Sequence, residues 1–129
     1  MVSGVSSGGG AYAPQPSSGS SHDQAIIKQM QQYEAELRHD MGPPVNYVDL
    51  QRLLPQMENF LNQNKGALET IMEKNGYFIG GPFSISAEFE GAISSLKTYL
   101  SHPNGASLDL LNESITQINY YLNTKNPGH

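Results

Sequence analysis

Leu108, Leu111, Ile115, Ile118 and Leu122 recur at alternating steps of three and four residues, and no other feature constrains the fold of the chain as tightly. An α-helix turns once in 3.6 residues, so this repeat places all five side chains on one stripe, whereas a strand would scatter them over two faces. Three further stretches carry the same period. Ile26, Met30, Tyr33 and Leu37 mark a helix over about 22–41. Tyr47, Leu50, Leu54, Met57, Leu61, Leu68 and Met72, with Phe60 and Ile71 beside them, mark a second from about Asn46 to Gly76. Ile85, Phe89, Ala92, Ile93, Leu96 and Leu100 mark a third over about 85–101, and the opening stripe belongs to a fourth over about 107–124. Each stripe has to be buried, and connections of at most about nine residues favour antiparallel neighbours. The expected fold class is all-α, an antiparallel up-down-up-down four-helix bundle.

Local signals punctuate these helices. Ser21 followed by Gln24 reads as a capping box, with Asp23 in the first turn. Gly42 and then Pro43-Pro44 stop the first helix, and Asn46, with Asp49 three residues on, reads as the next N-cap. Pro55 lies nine residues further, where it removes a backbone donor and crowds the preceding turn. The second helix is therefore expected either to kink there, or to divide into a short helix over 46–53 and a long one with Pro55 in its first turn. Ser84 or Ser86 caps the third helix, and HPNGAS at 102–107 is a turn cluster.

Composition bounds the rest. The first twenty residues, MVSGVSSGGGAYAPQPSSGS, carry no charge and are mostly Ser, Gly and Ala, so they are expected to be disordered, leaving 21–126 as the bundle domain. They also lack the basic start and apolar core of a cleaved secretory signal. The chain has no cysteine, which excludes disulfides and thiolate metal sites. A net charge of −5 argues against nucleic acid as a partner. The four histidines have no metal-ligand spacing, no acid–base or nucleophile grouping falls on one expected face, and no glycine pattern suits a phosphate loop. Neither enzymatic activity, nor a metal, nor a cofactor is expected.

Antiparallel order has a consequence for the ends. The first and third interhelical turns share one end of the bundle, called the tip below, and the second loop and the chain termini share the other. The tip should hold Arg38, Arg52 and Lys97 against Asp40, Asp49 and Asp109, together with His39 and His102. It is thus charge-balanced in an otherwise acidic protein, and it gains positive charge on acidification, because histidine is the side chain whose charge changes between about pH 5 and 8. Arg52 falls opposite the Leu50–Leu54–Met57 face and should reach solvent, Leu53 lies on the flank of that face, and Met41, Val45 and Val48 sit in or beside the turn. Each feature alone has an ordinary reading: a cation complementing a helix dipole, a solvated arginine, a core-margin leucine. Together they suit an anionic membrane interface, where a guanidinium takes a phosphate and a leucine enters the acyl boundary. The opposite loop, YFIGGPFSI at 77–85, is expected to cover the base of the bundle or to dock on a following domain.

The opening MVSGVSSGGGAYAPQPSSGSSHDQAI, the turn GPPVNYVDLQRLLP and the order of four helices carry a resemblance that covers essentially the whole chain. The chain resembles the four-helix-bundle membrane localisation domains, in the form found as lipid-raft targeting domains of type III secreted cytotoxic effectors. Related domains occur in clostridial glucosylating toxins, the Pasteurella mitogenic toxin and multifunctional autoprocessing toxins. The resemblance implies a tip that contacts anionic phospholipids, including phosphoinositides such as phosphatidylinositol 4,5-bisphosphate, on the inner leaflet of a host plasma membrane. By tip location the matching positions are Arg38, His39, Arg52, Leu53, Lys97 and His102. It further implies a type III secretion signal in residues 1–20, a dedicated secretion chaperone as partner, and a cytotoxic activity carried outside these 129 residues. The charge-balanced tip departs from a strongly basic patch. Two other functions compete: an interaction domain that binds the chaperone or a host protein without touching lipid, and a self-associating structural bundle.

Overall fold

The structure is a computed structural model and describes residues 21–80 and 84–125. The expected disordered segment and Phe83 of the second loop lie outside these residues. The described residues form five helices: α1 Ser21–Asp40, α2 Tyr47–Asn64, α3 Leu68–Lys74, α4 Ile85–Ser101 and α5 Gly105–Asn123. No strand occurs among the described residues; a single antiparallel bridge joins Tyr77 to Lys125.

The helix ends follow from local chemistry. The Asn46 side chain accepts the Asp49 N–H at 3.1 Å and caps α2. Ser84, rather than Ser86, caps α4 by accepting the Ala87 N–H at 3.1 Å. Ser86 instead binds Glu69 across the loop, through its N–H at 2.7 Å and its hydroxyl at 3.0 Å. Helix α5 begins inside the turn cluster, because Asn104 and Ser107 form a reciprocal capping box. Ser21, the expected cap of α1, is itself helical. Gln24 donates to Asn75 at 2.8 Å, across to the end of α3.

Pro55 neither divides the second helix nor starts a new one. Helix α2 runs through it, and both Pro55 and Gln51, whose carbonyl loses its partner, are exposed, so solvent can take up the orphaned acceptor. The break falls instead at 65–67, where Lys65 is extended and Gly66 has φ +88°, a backbone state that favours glycine. Leu61 and Leu68 stand seven residues apart, two helical turns, so the apolar period reads straight through the break and conceals it.

Side-chain contacts give the directions of packing. Arg52 of α2 reaches Glu36 of α1, and the Tyr33 hydroxyl donates to the Gln56 carbonyl, so rising numbers on one helix meet falling numbers on the other. Lys97 with Glu58 (2.6 Å) and Lys65 with Glu90 (2.9 Å) show the same for α4 against α2. Lys74 reaches the buried Asp23 at 3.2 Å, tying the end of α3 to the start of α1. One core results, with Met30, Leu37, Leu50, Met57, Leu68, Met72, Phe89, Leu96, Leu111, Ile115 and Ile118 fully buried. Tyr33, Phe60 and Phe89 run through it as successive ring contacts at 5.5 and 6.2 Å. Pairs of this kind contribute about 1 kcal/mol beyond the area they bury. At the base, Tyr77 is buried with Lys125 3.6 Å from its ring centre, and the Phe78 N–H donates to the Thr124 carbonyl at 2.9 Å. The described part of the second loop thus closes over the end of α5.

Candidate functional site at the α1–α2 turn

The tip is built from the last turn of α1, the first turn of α2 and their neighbours on α4 and α5. Helix α1 ends as Gly42 adopts φ +71° and its N–H donates to the His39 carbonyl at 3.2 Å. A Cβ at Gly42 would run into the Pro44 carbonyl, so only glycine suits this position. Pro43 and Pro44 follow as an exposed ridge. The Asn46 N–H returns to the Asp40 carbonyl at 2.7 Å and closes the turn. On one side of the ridge lies a hollow of about 720 Å³ lined by His39, Tyr47 and Val48. On the other, a cleft of about 390 Å³ is lined by Arg38, Met41, Leu108 and Asp109, which places the start of α5 beside the turn. Tyr47 stacks on Tyr99 of α4 with ring centres 5.8 Å apart and hydroxyls 3.0 Å apart. The hydroxyl contact and burial together push the Tyr99 phenol up to about 12.

The structure treats the six candidate residues differently. His39 and His102 are exposed. Arg38, in the last turn of α1, pairs with Glu34 one turn back. Burial raises the Glu34 carboxyl above its usual range, and Arg38 draws it partly down. Arg52 reaches solvent but is held between Asp49 at 2.7 Å and Glu36 at 2.8 Å. Lys97 lies four residues before the end of α4 rather than in its last turn, and it points across to Glu58 on the side of the bundle. Every tip cation therefore has a carboxylate partner, and Glu34, Glu36 and Glu58 belong in the charge balance of this end.

Leu53 is a correction. It is fully buried and cannot enter a membrane from the folded domain. Because α2 packs on both α1 and α4, its buried arc is centred on Leu50, Leu53, Met57, Phe60 and Leu61, rotated from the expected line, and Leu54 is the half-buried residue at its edge. The apolar surface of the tip is supplied by other side chains. Val48 is 78% exposed and Tyr47 44%, beside exposed Pro43 and Pro44, and Leu110, in the second turn of α5, is 54% exposed. Leu110 escaped the sequence reading. Its signal is an apolar residue one step off the Leu108–Leu111 stripe, where a solvated face calls for a polar one.

Beneath the ridge lies a carboxylate pair. Asp40 is buried, and its Oδ2 has no hydrogen-bond partner. Burial first, then the hydrogen bond and charge of Asp49 and the charge of Glu36, push its carboxyl up to about 6, against a smaller opposing pull from His39. Asp49 is held below the usual range by its hydrogen bonds to Asp40 and Arg52. The order Asp40, Asp49, Arg52, Glu36 forms a continuous polar line from the interior of the turn to solvent.

Among the described residues no three His, Asp or Glu side chains gather as metal ligands, and no helix is long and apolar enough to cross a membrane. The fold and its tip define an all-helical bundle with a proline-ridged, amphipathic end. No protein-family model, curated protein or solved structure matches the chain.

Proposed function

We propose that this chain is a non-catalytic membrane-docking domain whose tip rests on the anionic phospholipids of a host plasma membrane, phosphoinositides among them. In this reading α2 and α3 act as one interrupted rod of an up-down-up-down four-helix bundle. Residues 1–20 serve as a type III secretion signal, and a dedicated chaperone accompanies the effector before export.

The observation that carries the reading is the union, at one end, of exposed Val48 and the Pro43–Pro44 ridge with exposed His39, His102, Arg38 and Arg52, while exposed Leu110 in the second turn of α5 and Lys97 on the side of the bundle flank that end. Single exposed apolar residues are ordinary; a group around a projecting turn suits an interface. The carboxylate partners do not close the rim to phosphate. Arg38, Arg52 and Lys97 keep 57%, 46% and 55% of their side-chain surface in solvent, and exposed ion pairs contribute little to stability. A dense layer of lipid phosphates can therefore take these cations over. Burying the exposed parts of Val48 and Leu110 would add about 1–3 kcal/mol, which supports reversible docking rather than permanent anchoring.

The test is sedimentation with vesicles of phosphatidylcholine alone or with phosphatidylserine and phosphatidylinositol 4,5-bisphosphate. The wild type is expected to pellet with the anionic vesicles only, less so at high salt, and Val48→Ser with Leu110→Ser to lose most of that binding. Equal sedimentation of the folded double variant and the wild type would refute the assignment of the tip.

A further inference from the structure

Asp40 is placed where a permanently charged carboxylate is least comfortable. It is 3% exposed, ends α1, and has one oxygen without a donor, yet its own backbone carbonyl is the acceptor that closes the turn. Asp49, in the first turn of α2, lies within hydrogen-bonding reach of this buried carboxyl. Two adjacent carboxylates cannot both ionise without mutual repulsion, and a buried one also loses hydration. Arg52 decides which of them keeps its charge: its guanidinium holds Asp49 Oδ1 at 2.7 Å, so Asp49 stays the anion and the acceptor. A proton on Asp40 then becomes the donor of a charge-assisted bond between the helices.

We propose that Asp40 and Asp49 form a shared-proton latch, which closes the α1–α2 turn when Asp40 is protonated and loosens it when the proton leaves. The groups acting on Asp40 are Glu36 and His39 from α1 and Asp49 from α2, with Arg52 acting through Asp49. On opening, Asp40 swings into water, the Asn46 N–H leaves the Asp40 carbonyl, and the proline ridge is freed from α1. The latch needs no lipid, so it stands or fails apart from the docking reading.

The direction with pH follows from linkage. The Asp40 carboxyl lies at about 6 in the closed turn, above the 3.8 of a solvated aspartate. Closure is therefore fully supported below the lower value and loses that support as pH rises through the upper one. The closed-to-open ratio should fall about tenfold between about pH 5 and pH 7.5.

The test is amide hydrogen exchange by NMR at those two pH values, corrected for the intrinsic base-catalysed rate. The wild-type Asn46 amide is expected to lose about tenfold of its protection at the higher pH while the Leu96 amide does not, and Asp40→Asn, which donates to Asp49 without titrating, is expected to abolish the difference. Asn46 protection constant within twofold in the wild type would overturn the proposal. Should Asp40→Asn fail to fold, the wild-type carboxyl carbons decide. An Asp40 step near pH 6 that moves the Asn46 amide with it supports the latch, and an Asp40 step below about pH 4.5 with no amide response rejects it.

Discussion

Replacing Leu53 by alanine separates the core reading of this residue from the membrane reading. Leu53 is fully buried, as are Leu37, Leu50, Met57 and Leu96 in the same core. Alanine would remove most of the side chain and leave a cavity that the surrounding helices fill only in part, a change that destabilises by about 2–5 kcal/mol. In a domain of this size each kcal/mol shifts the midpoint of thermal unfolding by roughly 4–8 °C, so a loss of at least about 8 °C is expected. Val48→Ala provides the contrast: at 78% exposure it should stay within about 0.5 kcal/mol of wild type. Urea unfolding followed by far-UV circular dichroism reads both, and the Leu53 variant should show a lower midpoint with an unchanged slope. A Leu53→Ala protein as stable as Val48→Ala would refute the burial argument. The result also governs how lipid assays are read, because a Leu53 variant that no longer binds vesicles could have lost its fold rather than its lipid contact.

The remaining predictions concern charge and capping. Arg38→Gln leaves the buried Glu34 carboxylate without its cation, so it should lose on the order of 1 kcal/mol at neutral pH and less near pH 4, read by unfolding at both pH values. Asp40→Asn, which removes a carboxyl raised to about 6, should gain stability over wild type at pH 7.5 and little at pH 4, checked by the pH dependence of the thermal midpoint. Asn104→Ala breaks the capping box of α5 and should lower stability by about 1 kcal/mol, measured by the same urea curves.

Much of the fold is legible in the sequence, because helices with one apolar stripe announce both their existence and their buried face. The cap at Asn46 is equally readable, since a side chain bonding its own helix depends on nothing distant, whereas the choice of Ser84 over Ser86 depends on Glu69 across the loop. What escaped depends on how helices are rotated against each other. Leu53 and Leu54 lie 100° apart on the wheel, and only the presence of neighbours on both sides of α2 decides which is buried. Pro55 looked like the break because its defect is local. Gly66 was the break because the chain uses its positive φ there while keeping the stripe in phase. At the tip, His39 and His102 were legible as surface residues. The pairing of Lys97 with Glu58 was not, since it joins residues far apart in the chain and depends on helix register. The proximity of Asp40 to Asp49 follows from the return of the Asn46 N–H to the Asp40 carbonyl, and no sequence pattern marks that bond.

The chain contains no tryptophan, so a single one introduced at Val48 reports on the tip without background. Val48→Trp, compared with Glu73→Trp at the far end of the bundle, can be titrated with vesicles containing phosphatidylinositol 4,5-bisphosphate and brominated acyl chains. Insertion of the proline-ridged end requires the fluorescence of the Val48 probe to shift to the blue and be quenched, while the Glu73 probe stays unchanged. A quenched Glu73 probe beside a silent Val48 probe, or silence from both, would contradict it.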